Sequence, residues 1–163
     1  MGKFTTTHEF AATPERVWAL FLDRAFNERF YREELGFPQW EVIEQTQTGE
    51  EVTRKVTMQP RRDLPGPVAK LLGSGFRQTE DGTFAPADGT GKWRRVPSTL
   101  ADKWREEAAI RIEPVDGGRC RMTIEFAVEI KVFGVGGLME STLEKQLREE
   151  WDHFAAAVAR ELG

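Results

Sequence analysis

Residues 119–133 alternate almost without interruption, and no other feature narrows the choice of fold as much. Cys120, Met122, Ile124, Phe126, Val128 and Ile130 take every second position, with Arg121, Thr123, Glu125, Ala127, Glu129 and Lys131 between them. Side chains of a strand alternate between two faces, so this segment buries one face and wets the other, as an antiparallel sheet covered on one side does. The cover follows in the sequence. From Leu138 the period lengthens, and Leu143, Leu147, Trp151, Phe154, Val158 and Leu162 form one apolar stripe on a long helix whose opposite face is charged.

The start of the chain makes the same switch in miniature. Residues 3–11 alternate. Thr13 then stands where an N-cap would, Pro14 fits the first helical position, and Val17, Leu20 and Phe21 share a helical face up to residue 22. "RAFNERFYREELG" reads as a second short helix stopping at Gly36, and "WEVIEQTQTGEEVTRKVTMQP" as a hairpin turning at Thr48 and Gly49. "DLPGPVAKLLGSG" interrupts the sheet, and strands resume over 75–84, 91–98 and 104–113. The expected class is α+β, a curved antiparallel sheet wrapped around a C-terminal helix. A curved sheet and a straight helix do not pack flush, so a cavity is expected between them.

Composition removes several alternatives. A length of 163 residues, 39% of them hydrophobic, suits one domain over 1–163 with a core that needs no staples. Lysine and arginine number 23 against 27 acidic residues, a net charge of -4 that argues against nucleic acid as a partner. One cysteine and two histidines provide no disulfide framework and no metal-ligand cluster, which points to a reducing cytoplasm and no cofactor. No apolar run is long enough to span a bilayer.

Three segments, "FAATPERVWALFLD", "RMTIEFAVEIKVFGVGG" and "GGLMESTLEKQL", together with the order of elements, resemble the START-related superfamily, also called SRPBCC or helix-grip. Its members include lipid-transfer domains, polyketide cyclases and plant ligand-binding allergens. The helix opening is most similar to bacterial START-like domains that bind lipids or sterols. The resemblance implies a hydrophobic small-molecule ligand, a lipid or sterol, bound between sheet and helix and carried from place to place.

Strand parity then asks which polar residues turn inward. The parity that buries Val52, Val56 and Met58 also buries Arg54, and that of Trp104, Ala108 and Ile110 buries Glu106. Trp93 likewise brings Arg95 inward, and Phe4 and Phe10 bring His8. An unpaired buried charge is costly, so Arg54 and Glu106 are expected to pair with each other or to meet the polar end of a ligand. A bulge that inverted one strand would put them in water, and a salt bridge of purely structural role is a third reading. The expected apolar lining is Met58, Phe76, Trp93, Trp104, Met122, Phe126 and Val128 from the sheet side, with Met139 and Leu143 from the helix.

"RRDLPGPVAKLLGSG" places Val68, Leu71 and Leu72 on a short helical turn beside Arg61, Arg62 and Lys70. Such a flap would gate the cavity and touch an anionic membrane; alternatively it tucks its leucines into the core. His8 is either a general base or a hydrogen-bonded core histidine, and His153 is expected in solvent. Neither a Ser-His-Asp arrangement nor a phosphate-cradling glycine loop is present. Three functions stay open: a binding and transfer module, a cyclase or aromatase using His8, Arg54 and Glu106, and a protein-binding domain of co-chaperone type.

Overall fold

The computed structural model describes residues 2–61 and 64–163. Strand β1 (Gly2–Phe10) leads into helices α1 (Pro14–Phe21) and α2 (Arg24–Arg29), and α2 runs on into a π-helical turn (Phe30–Glu34). The hairpin β2 (Gln39–Thr48) and β3 (Glu51–Gln59) precedes the short helix α3 (Gly66–Leu72). Four more strands, β4 (Gln78–Ala85), β5 (Thr90–Pro97), β6 (Trp104–Val115) and β7 (Arg119–Ile130), lead to α4 (Gly136–Leu162). The strands form one open antiparallel sheet in the order β1-β7-β6-β5-β4-β3-β2, and α4 lies in its concavity as the helix-grip arrangement requires. Among the described residues no helix is long and apolar enough to cross a membrane.

The alternation of β7 survives intact: all six of its expected inner residues are buried. Strand ends differ from expectation where glycines intervene. β4 starts at Gln78 rather than at residue 75, because Gly73 and Gly75 adopt positive φ and turn the chain away from the sheet. β7 ends at Ile130, leaving Phe133 in solvent. Thr13 occupies its N-cap position with no side-chain bond, whereas Asp23 caps α2 by accepting from Phe26 N–H at 2.7 Å.

On the outer face the register lines up a ladder of alternating charge across the sheet. Glu44 faces Lys55, Lys55 faces Asp81, Asp81 faces Arg94 and Arg94 faces Glu107; Ala127 and Lys3 complete the row. Opposite charges across strands contribute about 0.2–1 kcal/mol per pair, so the ladder favours this register over slipped ones. The one register shift, between Val42 and Glu44, expels Ile43 into solvent and leaves β3 undisturbed.

The inner face is dominated by aromatic rings. Phe21 lies 5.2 Å from Phe84, 6.1 Å from Trp93 and 6.2 Å from Trp151, measured between ring centroids. Gly82 and Gly91 make room for the Phe84 ring, since a Cβ at either would lie 2.6 or 2.4 Å from it. Gly136 is equally constrained: a Cβ there would come within 2.3 Å of Ile130 O, where α4 begins hard against the end of β7. Helices make side-chain contacts with both sheet edges. His8 Nε2 bonds Asp152 Oδ1 of α4 at 2.8 Å, and Arg148 reaches Thr5 O at 3.4 Å, while Val42 N–H of β2 donates to Glu28 at 3.2 Å.

Candidate functional site

The inner face carries charges as well as rings, one from each of four adjacent strands. Arg54 of β3, Glu80 of β4, Arg95 of β5 and Glu106 of β6 are all buried, and Arg95 stands directly opposite both Glu80 and Glu106 in the register. Its Nε donates to Glu80 Oε1 at 3.0 Å, its Nη2 donates to Glu150 Oε2 of α4 at 2.9 Å, and its Nη1 lies 3.7 Å from Glu106 Oε2. Gln78 and Trp104 both donate to Glu106 Oε1, at 2.9 and 3.2 Å. The result is a closed ionic network joining sheet to helix.

Two further residues tie it to the wall. Arg54 donates to Phe21 O at 3.0 Å, lies 3.6 Å from Glu80, and sits over the rings of Phe21, Phe84 and Trp40. It faces Gly82 across the strands, where no side chain competes for the space. Tyr31 donates to Glu150 Oε2 at 3.1 Å and stacks on Trp40 with centroids 4.7 Å apart. Tyr31 lies in the π turn, where it and Phe30 are both buried.

Burial and charge oppose each other here. Burial alone would lower the pKa of Arg95, yet the carboxylates of Glu150, Glu80 and Glu106 more than offset it and push the pKa well above the usual arginine value. Arg54 has weaker compensation, mainly from Glu80, and burial leaves its pKa lowered. Burial, reinforced by Glu150, holds the Tyr31 hydroxyl well above its ordinary 10, so at neutral pH it is a proton donor and never a base.

A cleft of about 1080 Å³ leads from the surface to this network. Its walls come from the π turn, the residues around α3 and the mid-section of α4, and Glu150 is among its lining residues. Beside it, beneath α3, lies an apolar pocket of about 20 Å³ enclosed by Val68, Leu72, Phe76, Trp104, Met139 and Leu143. That is room for about one water molecule. Leu64 and Gln146 border both spaces, so they form the partition between them. A separate trough of about 870 Å³ crosses the outer face, walled by the charge ladder.

Of the residues singled out in the sequence, Arg54 and Glu106 do face inward. They are joined through Glu80 and Arg95, so the expected direct pair is replaced by a relay. Phe76, Trp104, Met139 and Leu143 surround the apolar pocket. Met58, Trp93, Met122, Phe126 and Val128 line neither this pocket nor the cleft. They are buried core, because the cluster of Phe21, Phe84, Trp93 and Trp151 fills the space a cavity would need. On the flap, Val68 (1% exposed) and Leu72 (7%) turn into the core and so cannot touch a membrane in this state, while Leu71 (41%) and Lys70 stay outside. Arg61 is exposed on the cleft wall, and Arg62 lies outside the described residues.

His8 has inner parity, but it sits at the β1 edge on Asp152 and lines neither cavity under α4. His153 is exposed, lines the cleft, and makes a 2.7 Å bond from Nδ1 to Glu149 O. Sequence reasoning missed Glu80, Gln78, Glu150 and Tyr31. The alternation of β4 signalled the first two. Glu150 stands three positions beyond Leu147 and one before Trp151, within the helical stripe, but Tyr31 had no signal short of the π turn.

Solved structures share this architecture. The chain resembles Zhui aromatase/cyclase from Streptomyces sp. R1128 with a TM-score of 0.66 at 14% identity, over 98% of this chain and 92% of that one. Norcoclaurine synthase from Thalictrum flavum gives 0.66 at 13%, over 99% and 86%. A START superfamily protein from Mycobacterium smegmatis gives 0.58 at 15%, over 98% and 95%. At such identities the likeness is one of fold alone, the START/SRPBCC-like helix-grip fold. No curated protein matches the sequence. The family described as "Protein of unknown function (DUF2505)" matches residues 5–161, and the chain belongs to that family.

Proposed function

We propose that the protein is a binding module for a hydrophobic or amphipathic small molecule, of lipid or sterol type, held between α3 and α4. The observation that carries this reading is the juxtaposition of a built polar network, reached by an open cleft, with an apolar pocket whose roof is a separate short helix. The aromatic half of the interior is already full, so the ligand belongs in the half beneath α3.

In the closed state the pocket admits no organic molecule, and α3 must lift. Exposing Val68 and Leu72 costs about 1.5–3 kcal/mol each, or about 3–6 kcal/mol together. A ligand that buries about 300 Å² of apolar surface regains about 7 kcal/mol, enough to hold the lid around it. Leu71 and Lys70, on the solvent side of the lid, are the residues placed to touch an anionic membrane during loading.

Binding is favoured over catalysis because the polar groups are engaged with one another. Glu80, Glu106 and Glu150 accept bonds from Arg95, Gln78, Trp104 and Tyr31, and His8, the base of a cyclase-type reading, is spent at the sheet edge.

Native mass spectrometry of the protein from its own source, followed by organic extraction, tests the proposal. A stoichiometric adduct that Leu143→Trp abolishes is the expected result. Absence of any adduct, together with no saturable binding of hydrophobic probes by wild type or by Leu72→Ala, refutes it.

A further inference from the structure

The charges of the cleft, taken with their partners, say more about the ligand, provided the binding reading above holds. Three carboxylates line the cleft. Glu34 is held by Arg160, and Glu150 by Arg95 and Tyr31; Glu149 forms no ion pair among the described residues. Two cations line it as well. Arg61, just beyond β3, and Lys145, on α4, come from different elements, and among the described residues neither forms an ion pair; Glu149 is the carboxylate one helical turn from Lys145. The Arg61 guanidinium lies beside Gly36, where a Cβ would come within 3.1 Å of its Nη1, next to the end of the π turn. Leu64 and Gln146 line both this cleft and the apolar pocket.

We infer that the ligand is an amphipathic anion, its carboxylate or phosphate head between Arg61 and Lys145 and its apolar body passing Gln146 into the pocket under α3. An ammonium head is disfavoured, because Arg61 and Lys145 repel it and, among the described lining residues, Glu149 is the one carboxylate without an ion pair. An uncharged head leaves the cations as they are and gains nothing from them.

The test is a set of ligands with one apolar body. Decanoate, decyl phosphate, decanol and decylamine are titrated against the full chain at neutral pH and low salt by displacement of a neutral fluorescent probe. The expected result is that the two anions bind at least about tenfold more tightly than decanol, with decylamine weakest. The tighter of the two anions identifies the head group. In the Arg61→Ala, Lys145→Ala double variant both anions fall to the affinity of decanol, which itself does not change. Because both side chains are exposed, circular dichroism is expected to show an unaltered fold. Equal affinity across the set, an amine preference, or an anion preference that persists in the double variant overturns the inference and leaves the binding reading intact. Failure of all four ligands to displace a probe that does bind overturns the inference alone, and absence of saturable probe binding overturns both.

Discussion

Replacing Arg95 by methionine keeps most of the side-chain volume and removes the charge that three buried carboxylates share. Arg95 is 3.0 Å from Glu80, 2.9 Å from Glu150 and 3.7 Å from Glu106, so no other residue of the network compensates as many groups. Stranding a buried charge in this way costs about 3–5 kcal/mol. For a domain stabilised by about 5–15 kcal/mol that is severe but survivable, and at about 2–4 °C per kcal/mol the melting temperature falls by about 6–20 °C. The pH dependence discriminates the cause. Without Arg95 the three buried carboxylates lose their shared counter-charge, so their charged forms are opposed by burial and by one another, while in the unfolded chain they are solvated. The cost of the substitution is therefore expected to be larger at pH 7.5, where carboxylates are ionised in the unfolded chain, than at pH 5. Urea denaturation of both proteins at pH 5 and pH 7.5, followed by tryptophan fluorescence, measures this, and Arg95→Met with Glu150→Met is expected to be more stable than Arg95→Met alone. A cost below about 1 kcal/mol at the higher pH, or a cost equal at both, refutes the electrostatic account.

Tyr31 is the chain's one tyrosine, so phenolate absorbance reports it alone. With its pKa raised, the stability it contributes is fully present below pH about 10 and is lost as pH climbs toward the folded value; ionisation is expected to coincide with unfolding, and a reversible transition of the folded protein near 10 contradicts the buried bond to Glu150. The lid is tested by Leu72→Ala, which weakens closure by about 1–3 kcal/mol and is expected to accelerate proteolysis around residues 64–75 while the sheet stays protected. Unchanged cleavage there would mean that α3 opens only with the whole molecule.

Much of this was legible before any coordinates, for reasons particular to each element. β7 and α4 each bury a single face, so their periodicities were unmixed with other signals. Arg54 and Glu106 obeyed parity because the one bulge of the sheet falls at Ile43 in β2, where it perturbs neither of their strands. The same rule applied to β4 would have found Glu80. Glu150 was harder, since a helical stripe does not say whether a charge at its margin turns in or out. Tyr31 sits in a five-residue helical segment, too short for its apolar residues to define a stripe that would mark it as inward. The shape of the cavity was the least accessible property. Whether Met58, Trp93 and Met122 line a void or fill a core depends on how several rings interlock, and no periodicity encodes that.

The pairing of β1 with β7 sets the order in which the chain becomes safe during synthesis. β1 ends at Phe10 and its partner begins at Arg119, so at about 5–20 residues per second the first strand waits about 5–20 s for a mate. Through that interval it is an orphan edge, open to pairing with any other nascent chain. Its composition suits the wait: between Phe4 and Phe10 stand Thr5, Thr6, Thr7, His8 and Glu9, a stretch too polar to seed a sticky ribbon. The cover that α4 supplies through Arg148 and Asp152 arrives last of all, as a clasp closed after the sheet is complete.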